Sequence, residues 1–278
     1  MVSTNQIKPA LILQPYVHCY ALRKFNTGEI VMPMPMHAMN ECYMTFFLRD
    51  KFCLWKESSE KTEQKSSSSI ASLFTESHGC TYYKGDYALL SIQFKFNGFF
   101  AIFGIPQRHV MNRIIPIEDI LGNENMVITE QLQSVNGIIE MAKIMNDYLI
   151  GKLISQKHKY YTNVIAHISN GIFKKRGIVS IDTLASDANM SLRNFERRFS
   201  DEVGMPPKLY SRITKFFLAL ENKMLNPDKS WTVVSHENGY FDQAHFIKDC
   251  KQFSSKAPEE LFRYTPPPTE SFIEKVEL

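Results

Sequence analysis

No stretch of this sequence approaches the ~20 uninterrupted apolar residues that a membrane-spanning helix needs, so a crossing of the bilayer is not expected. The opening MVSTNQIKPALILQPYVHCY lacks a basic start, a long apolar run and a small-residue cleavage site. A secretory leader is therefore not expected, and the cytoplasm is the expected compartment. Cysteine is scarce. Cys19, Cys42, Cys53, Cys80 and Cys250 are odd in number and form no CxxC pair, which argues against metal knuckles and dithiol redox motifs and for reduced, mostly buried thiols. There is no G-x-S-x-G elbow and no phosphate-cradling glycine loop. His18, His37, His78 and His109 are scattered, without the close pair plus carboxylate of a metal-binding β-barrel enzyme. Catalysis has no visible equipment, and neither a cofactor nor a metal site is implied; the expectation is a protein that is not an enzyme.

Charge of one sign is also nearly absent as an excess, at +3 over 278 residues. Divided along the chain it is less bland: residues 1–156 hold 14 basic and 14 acidic side chains, 157–263 hold 17 and 12, and 264–278 hold 1 and 3. All the positive surplus lies in the second segment, where it suits a surface that approaches phosphates without proving one. A chain of this length makes two domains the prior.

The first half reads as mainly β. Residues 91–96, SIQFKF, alternate with period two, and 42–48 are rich in strand-forming aromatics, so that one face of each strand should be buried. KESSEKTEQKSSSS has almost nothing to bury and reads as a solvated or disordered loop between strands. NGFFAIFG is a short helical run stopped by Gly104 and Pro106, and a longer helical pattern covers roughly 128–153. The expected organisation is α+β in two domains: a mixed, β-rich N-terminal domain with C-terminal helices over 1–153, an all-α domain over 154–264, and a frayed tail, 265–278, that begins with three prolines.

The second half contains an internal repeat. In IDTLASDANMSLRNFERRFSDEVG, Leu184, Ala185, Ala188 and Met190 surround a short helix and tight turn, and Ser191 stands where an N-cap belongs. On the helix that follows, Leu192, Phe195 and Phe199 should face the core, while Arg193, Glu196, Arg197 and Ser200 share the opposite face. Gly204 should end it. Arginine can bind guanine O6 and N7 together, and glutamate can accept from cytosine N4, although Glu196 could equally be a surface partner of Arg193 or Arg197. In SWTVVSHENGYFDQAHFIKDCKQFSSKAP the pattern returns: Trp231, Val234 and Gly239 make the first helix and turn, and Asp242 caps the second. Phe246, Cys250 and Phe253 should be buried, with Gln243, Ala244, Ile247, Lys248 and Lys251 outward. Gln243 could pair with adenine, Ala244 or Ile247 could touch a thymine methyl, and Lys248 or Lys251 could reach phosphate. PPKLYSRITKFFLALENKML, an amphipathic helix opened by proline, would space the two units.

GMPPKLYSRITKFFLALENKML, the turn NGYFDQAHFIKDCK and KAPEELFR resemble the DNA-binding domain of AraC/XylS transcription regulators, over about 158–264 without a gap. The resemblance implies two helix-turn-helix motifs in successive major-groove segments of double-stranded DNA. Base contacts then fall to Arg193, Glu196 and Arg197, and to Gln243, Ala244, His245 and Lys248, with His245 read as nearer phosphate or solvent than a base. RNA polymerase is implied as a partner. Two positions depart from the family: Cys250 stands where an aromatic is usual and Ser255 where a glycine is usual, which puts the sharpness of the second motif in doubt. More weakly, QPYVHCYALRKF, LLSIQFKFNGFFAIFGIP and RIIPIEDILG resemble the β-rich sensor-like domain of some family members, which implies a small-molecule effector or homodimer assembly but no effector identity and no effector-binding residues.

VMPMPMHAM sets Met32, Met34, Met36 and Met39 beside His37, a soft-metal pattern that reads better as an edge strand or adaptable apolar pocket. Two alternatives to a regulator stand beside it: an architectural DNA-binding protein without an effector, and a small-molecule- or metal-binding enzyme with an appended helical domain.

Overall fold

Long β-branched and aromatic runs in the first half and 3.6-period amphipathic runs in the second divide the chain into a sheet region and a helical region. The computed structural model describes residues 3–50, 52–55, 64–66, 68–156 and 162–264. Eight strands, β1 (Ser3–Ile7), β2 (Val17–Pro35), β3 (Cys42–Phe47), β4 (Phe52–Trp55), β5 (Gln64–Ser66), β6 (Ser68–Ala71), β7 (Cys80–Phe94) and β8 (Ile114–Pro116), make one antiparallel sheet. Its order is β1-β2-β7-β3-β6-β8, with β4 also on β7 and β5 on β4. Part of the polar loop expected between strands, 56–63 and 67, lies outside the described residues, and 64–66 pair as β5.

β7 departs from the expected one-faced strand: from Tyr87 to Phe94 every residue is buried. Strands β2 and β3 flank it over that stretch, so neither edge nor face of it reaches water. One face, with Tyr20, Met44, Ile92 and Phe94, belongs to the main core. On the other, Phe25, Phe47, Tyr83, Tyr87 and Leu89 form a second cluster. Met32 and Met34 pack against that cluster, partly buried, from the proline-bearing end of β2.

Helices α1 (Gly98–Phe103), α2 (Glu118–Leu121), α3 (Glu124–Gln133) and α4 (Ile138–Ser155) follow. Gly104 ends α1 in the left-handed region, as expected. The single helical pattern expected over 128–153 is two helices, broken at Ser134–Gly137 because Gly137 is extended and opens α4. The Asn146 side chain at the middle of α4 accepts from the Tyr20 hydroxyl at 2.8 Å and the Ala10 amide at 3.0 Å, which fixes α4 on the sheet. The domain boundary expected at 153/154 falls in the last turn of α4, which runs to Ser155.

The rest is helical: α5 (Thr162–Lys174), α6 (Ile181–Asp187), α7 (Leu192–Val203), α8 (Pro207–Leu225), α9 (Trp231–Glu237), α10 (Gln243–Ser254) and α11 (Pro258–Tyr264). One hydrophobic core runs from the sheet through α1 and α4 into these helices. Phe96, just beyond β7, touches Phe173 of α5 and Tyr210 of α8 at ring-centroid distances of 6.2 Å each, which closes the joint between sheet and helices. Among the described residues no helix is long and apolar enough to cross a membrane.

Candidate nucleic-acid interface

Two short helix pairs, α6–α7 and α9–α10, repeat one local construction. Each of the four helices begins at a side-chain oxygen that accepts a backbone N–H: Ser180 from Thr183, Ser191 from Asn194, Ser230 from Val233 and Asp242 from His245. Such caps fix where a helix starts and are typically worth ~1 kcal/mol each. The turn between paired helices needs one left-handed residue, Asn189 (φ 52°) in the first pair and Gly239 (φ 74°) in the second. Phe195 and Phe199 of α7, and Phe246, Cys250 and Phe253 of α10, are fully buried, as the periodicity predicts.

On α7 the residues left in water are Arg193, Glu196 and Arg197, together with Leu192. Leu192 is thus not a core residue. It is 42% exposed at the first turn, because the core side of α7 is filled by Phe195 and Phe199. Arg197 donates from Nη2 to Asn194 Oδ1 at 2.9 Å and lies 3.6 Å from Asp201, so its guanidinium is held along the helix with Nη1 and Nη2 near the surface. Among the described residues Glu196 forms no ion pair with Arg193 or Arg197; Arg197 is partnered by Asp201 and Asn194 instead.

On α10, Ala244, His245, Lys248 and Lys251 are exposed. Gln243 and Ile247, expected to point outward, are half-buried. The Thr232 hydroxyl of α9 donates to Gln243 Oε1 at 2.7 Å, which fixes the amide's orientation and leaves Nε2 open. Since an amide oxygen has a second lone pair, the two-bond pairing with adenine remains compatible with this contact. His245 stands edge-on to the Tyr240 ring at 5.3 Å.

α8 joins the pairs. Pro206 and Pro207 open it, and its 19 residues span about 28 Å at ~1.5 Å each. Sequence reasoning missed the chemistry of this helix. Lys208, Arg212 and Lys215 recur at i, i+4 and i+7 and form a basic stripe on one face, a signal visible in the string itself. The stripe floors a cleft of about 820 Å³ whose walls carry Leu192 and Glu196 of α7 and His245 and Lys248 of α10. Of the eight expected contact residues, Glu196, His245 and Lys248 therefore meet across one cleft, while Arg193, Arg197, Gln243, Ala244 and Lys251 do not line it. Arg212 is engaged: Nη2 donates to Asp249 Oδ1 at 2.5 Å and Gln252 Oε1 at 2.8 Å. Burial pushes the Lys215 ammonium below its ordinary value, Asp249 opposing the shift, and its Nζ lies 5.1 Å from the Tyr240 ring centre.

Also missed were the contacts by which the N-terminal half grips these helices. Gln107, fully buried, donates from Nε2 to the Glu202 carbonyl at 2.7 Å and the Phe96 carbonyl at 2.8 Å. Arg108 is paired with Asp201. The backbone of Gly204, left-handed at φ +99°, closes α7 against this region; a Cβ there would stand 3.1 Å from both Gln107 and Leu73. Burial raises the Glu202 carboxyl, and the Arg198 guanidinium, 2.8 Å away, opposes it. At the other pair, the Ala38 amide donates to the Phe253 carbonyl at 2.7 Å, and on the linker α8 Asn40 donates to Thr214 at 3.1 Å.

A family model described as a helix-turn-helix domain matches residues 184–264, from the middle of α6 to the end of α11. No curated protein matches the chain. Among solved structures it is similar to ToxT from Vibrio cholerae O395, at 8% identity and a TM-score of 0.46 over 93% of this chain and 96% of that one. It is also similar to unsaturated-fatty-acid-bound wild-type ToxT from V. cholerae strain SCE256, at 6% identity and 0.47 over 87% and 94%. At these values the likenesses carry no argument about function.

Proposed function

We propose that this chain, whose residues 184–264 form a helix-turn-helix domain of the AraC type, is a sequence-specific DNA-binding regulator of transcription that reads two successive major-groove segments with α7 and α10. The observation that carries the reading is the repeated pair: two capped helices, each with an apolar face sunk in the core and a basic face in water, joined by one continuous helix. A rigid spacer of about 28 Å suits two groove segments ~34 Å apart on one side of a duplex. One copy of the chain then covers both, and a homodimer would double the operator.

In this reading Arg193 and Arg197 take guanine and Glu196 takes cytosine in one segment. Gln243 pairs with adenine and Ala244 meets a thymine methyl in the other, while His245, Lys248 and Lys251 face phosphates. The DNA-binding unit is 154–264, the N-terminal unit, 1–153, is the controlling domain for a small-molecule effector, and RNA polymerase is the partner through which the bound regulator acts. The grip of Gln107 and Arg108 on the first motif, of Ala38 on the second and of Asn40 on α8 supports control of this kind, since a ligand-dependent change in the sheet region would reach both reading helices.

The test is selection of DNA from a random-sequence pool by the full chain, followed by the same selection with Arg197→Ala and Gln243→Ala. Two preferred clusters about 10 base pairs apart are expected, each variant relaxing one cluster at a cost of about 1–3 kcal/mol. Preferred sequences identical for parent and both variants would overturn the two-segment readout.

A further inference from the structure

The cleft between the two motifs has a polarity that base reading does not explain. Its floor is the stripe of α8, and its second wall is the Lys248 face of α10. The buried Asp249 carboxylate is matched by Arg212, whose Nη2 is thereby committed to α10. Lys208, Lys215 and Lys248 have no carboxylate within ion-pair distance among the described residues. Lys215 is kept on the floor by the Tyr240 ring, and its lowered ammonium is an unfavourably desolvated cation that an incoming anion would stabilise. The remaining acids, Asp182 and Glu196, sit on the first motif's wall, opposite the lysines. A strand of phosphodiesters is the partner that fits a cationic floor and one cationic wall in a cleft this large and open.

We propose that this cleft seats the sugar–phosphate backbone running between the two major-groove segments, with Lys208, Lys215 and Lys248 as its cationic contacts and α8 as a DNA-binding element rather than only a spacer. The inference rests on the two-segment reading. It deepens that reading by assigning the backbone between the segments to the linker helix α8, with Lys208 and Lys215, together with Lys248 of α10. Phosphate contacts fix register and carry no sequence information, so their loss should weaken every sequence alike.

The test uses the full chain and the best sequence recovered by selection. Lys208→Gln and Lys248→Gln should each bind the selected and an unrelated duplex several-fold more weakly, leave the preferred sequence unchanged, and lower the slope of log affinity against log salt by about one. Lys208→Arg should keep the parent slope. Neutral methylphosphonates placed between the two base clusters should weaken the parent by a similar factor and add nothing to the loss in Lys208→Gln. Lys208 and Lys248 are exposed, and unchanged thermal melts will show that the variants fold. A parent that binds its selected sequence but ignores methylphosphonates between the clusters, or variants with the parent slope, would overturn the cleft assignment alone. A parent with no preferred sequence at all would instead sink the reading beneath it.

Discussion

The two helix pairs share a plan and differ in what holds them. The first, α6–α7, is fastened to the N-terminal half: Gln107 takes the Glu202 carbonyl, Arg108 takes Asp201, and Gly204 lies against Leu73. Its buried carboxylate, Glu202, is met within its own helix by Arg198. The second, α9–α10, is fastened to the linker: its buried carboxylate, Asp249, is met by Arg212 of α8, and the N-terminal half touches it through the Ala38 amide. A disturbance in the sheet region should therefore reach the first pair through side chains and backbone together, and the second mainly with α8 as one body.

Breaking the linker's hold should give the largest effect. Arg212→Ala leaves Asp249, 1% exposed, a buried charge without its ion-pair partner, and a loss of about 3–5 kcal/mol is expected in denaturant melts. The double variant Arg212→Met, Asp249→Leu should recover most of it. A loss below about 1 kcal/mol for Arg212→Ala would mean that the second pair is held elsewhere.

Next comes acid sensitivity at the second pair. His37 precedes Ala38, is buried, and is held by that burial and by nearby Lys256 at about 4, well below its ordinary 6.5. The fold keeps the imidazole neutral, so its contribution is complete above pH 6.5. As pH falls toward 4 the unfolded chain takes up a proton that the folded chain refuses, and about 3 kcal/mol of stability drains away. Melts of His37→Leu across this range should be flatter than those of the parent by that amount; parallel curves would refute the assignment.

Gln107→Ala sharpens the contrast from the other side. It leaves the Glu202 carbonyl without this buried donor, at a cost of about 1–3 kcal/mol, and hydrogen exchange should quicken in α7 while α10 is unchanged. Equal quickening in both helices would erase the distinction between the pairs. The smallest effect belongs to the end of α10, where Ser255 is left-handed at φ 61° without being glycine. Ser255→Gly should raise stability by about 1 kcal/mol, whereas Asn189→Gly, at a residue type that tolerates this region, should gain less.

Much of this was legible in the string because it is local. Ser191 and Asp242 are caps by residue type and position, Gly204 stops α7 by its lack of a Cβ, and the aromatic spacing of α7 and α10 gives their buried sides. Ser255, singled out as a departure from glycine, occupies the one conformation in which that departure costs something. What escaped depends on distant residues. Leu192 has the spacing of a core residue, yet Phe195 and Phe199 fill the core side of α7 and leave it 42% exposed. β7 is buried on both faces because of strands and helices remote in sequence. The basic stripe of α8 was legible but hidden by treating that helix as a spacer, and Gln107 carries no local sign that its amide will meet α7.

The bond from Asn40 to Thr214 spans 174 residues. At a synthesis rate of ~5–20 residues per second, Asn40 is made roughly 9–35 s before its acceptor. The surface that will receive α8 and α10 must wait that long with its polar groups in water and its neighbouring apolar side chains uncovered. Nascent chains halted before α8 should thus be the species most dependent on chaperones, and the N-terminal half, although made first, should be the last part of the molecule to become fully protected.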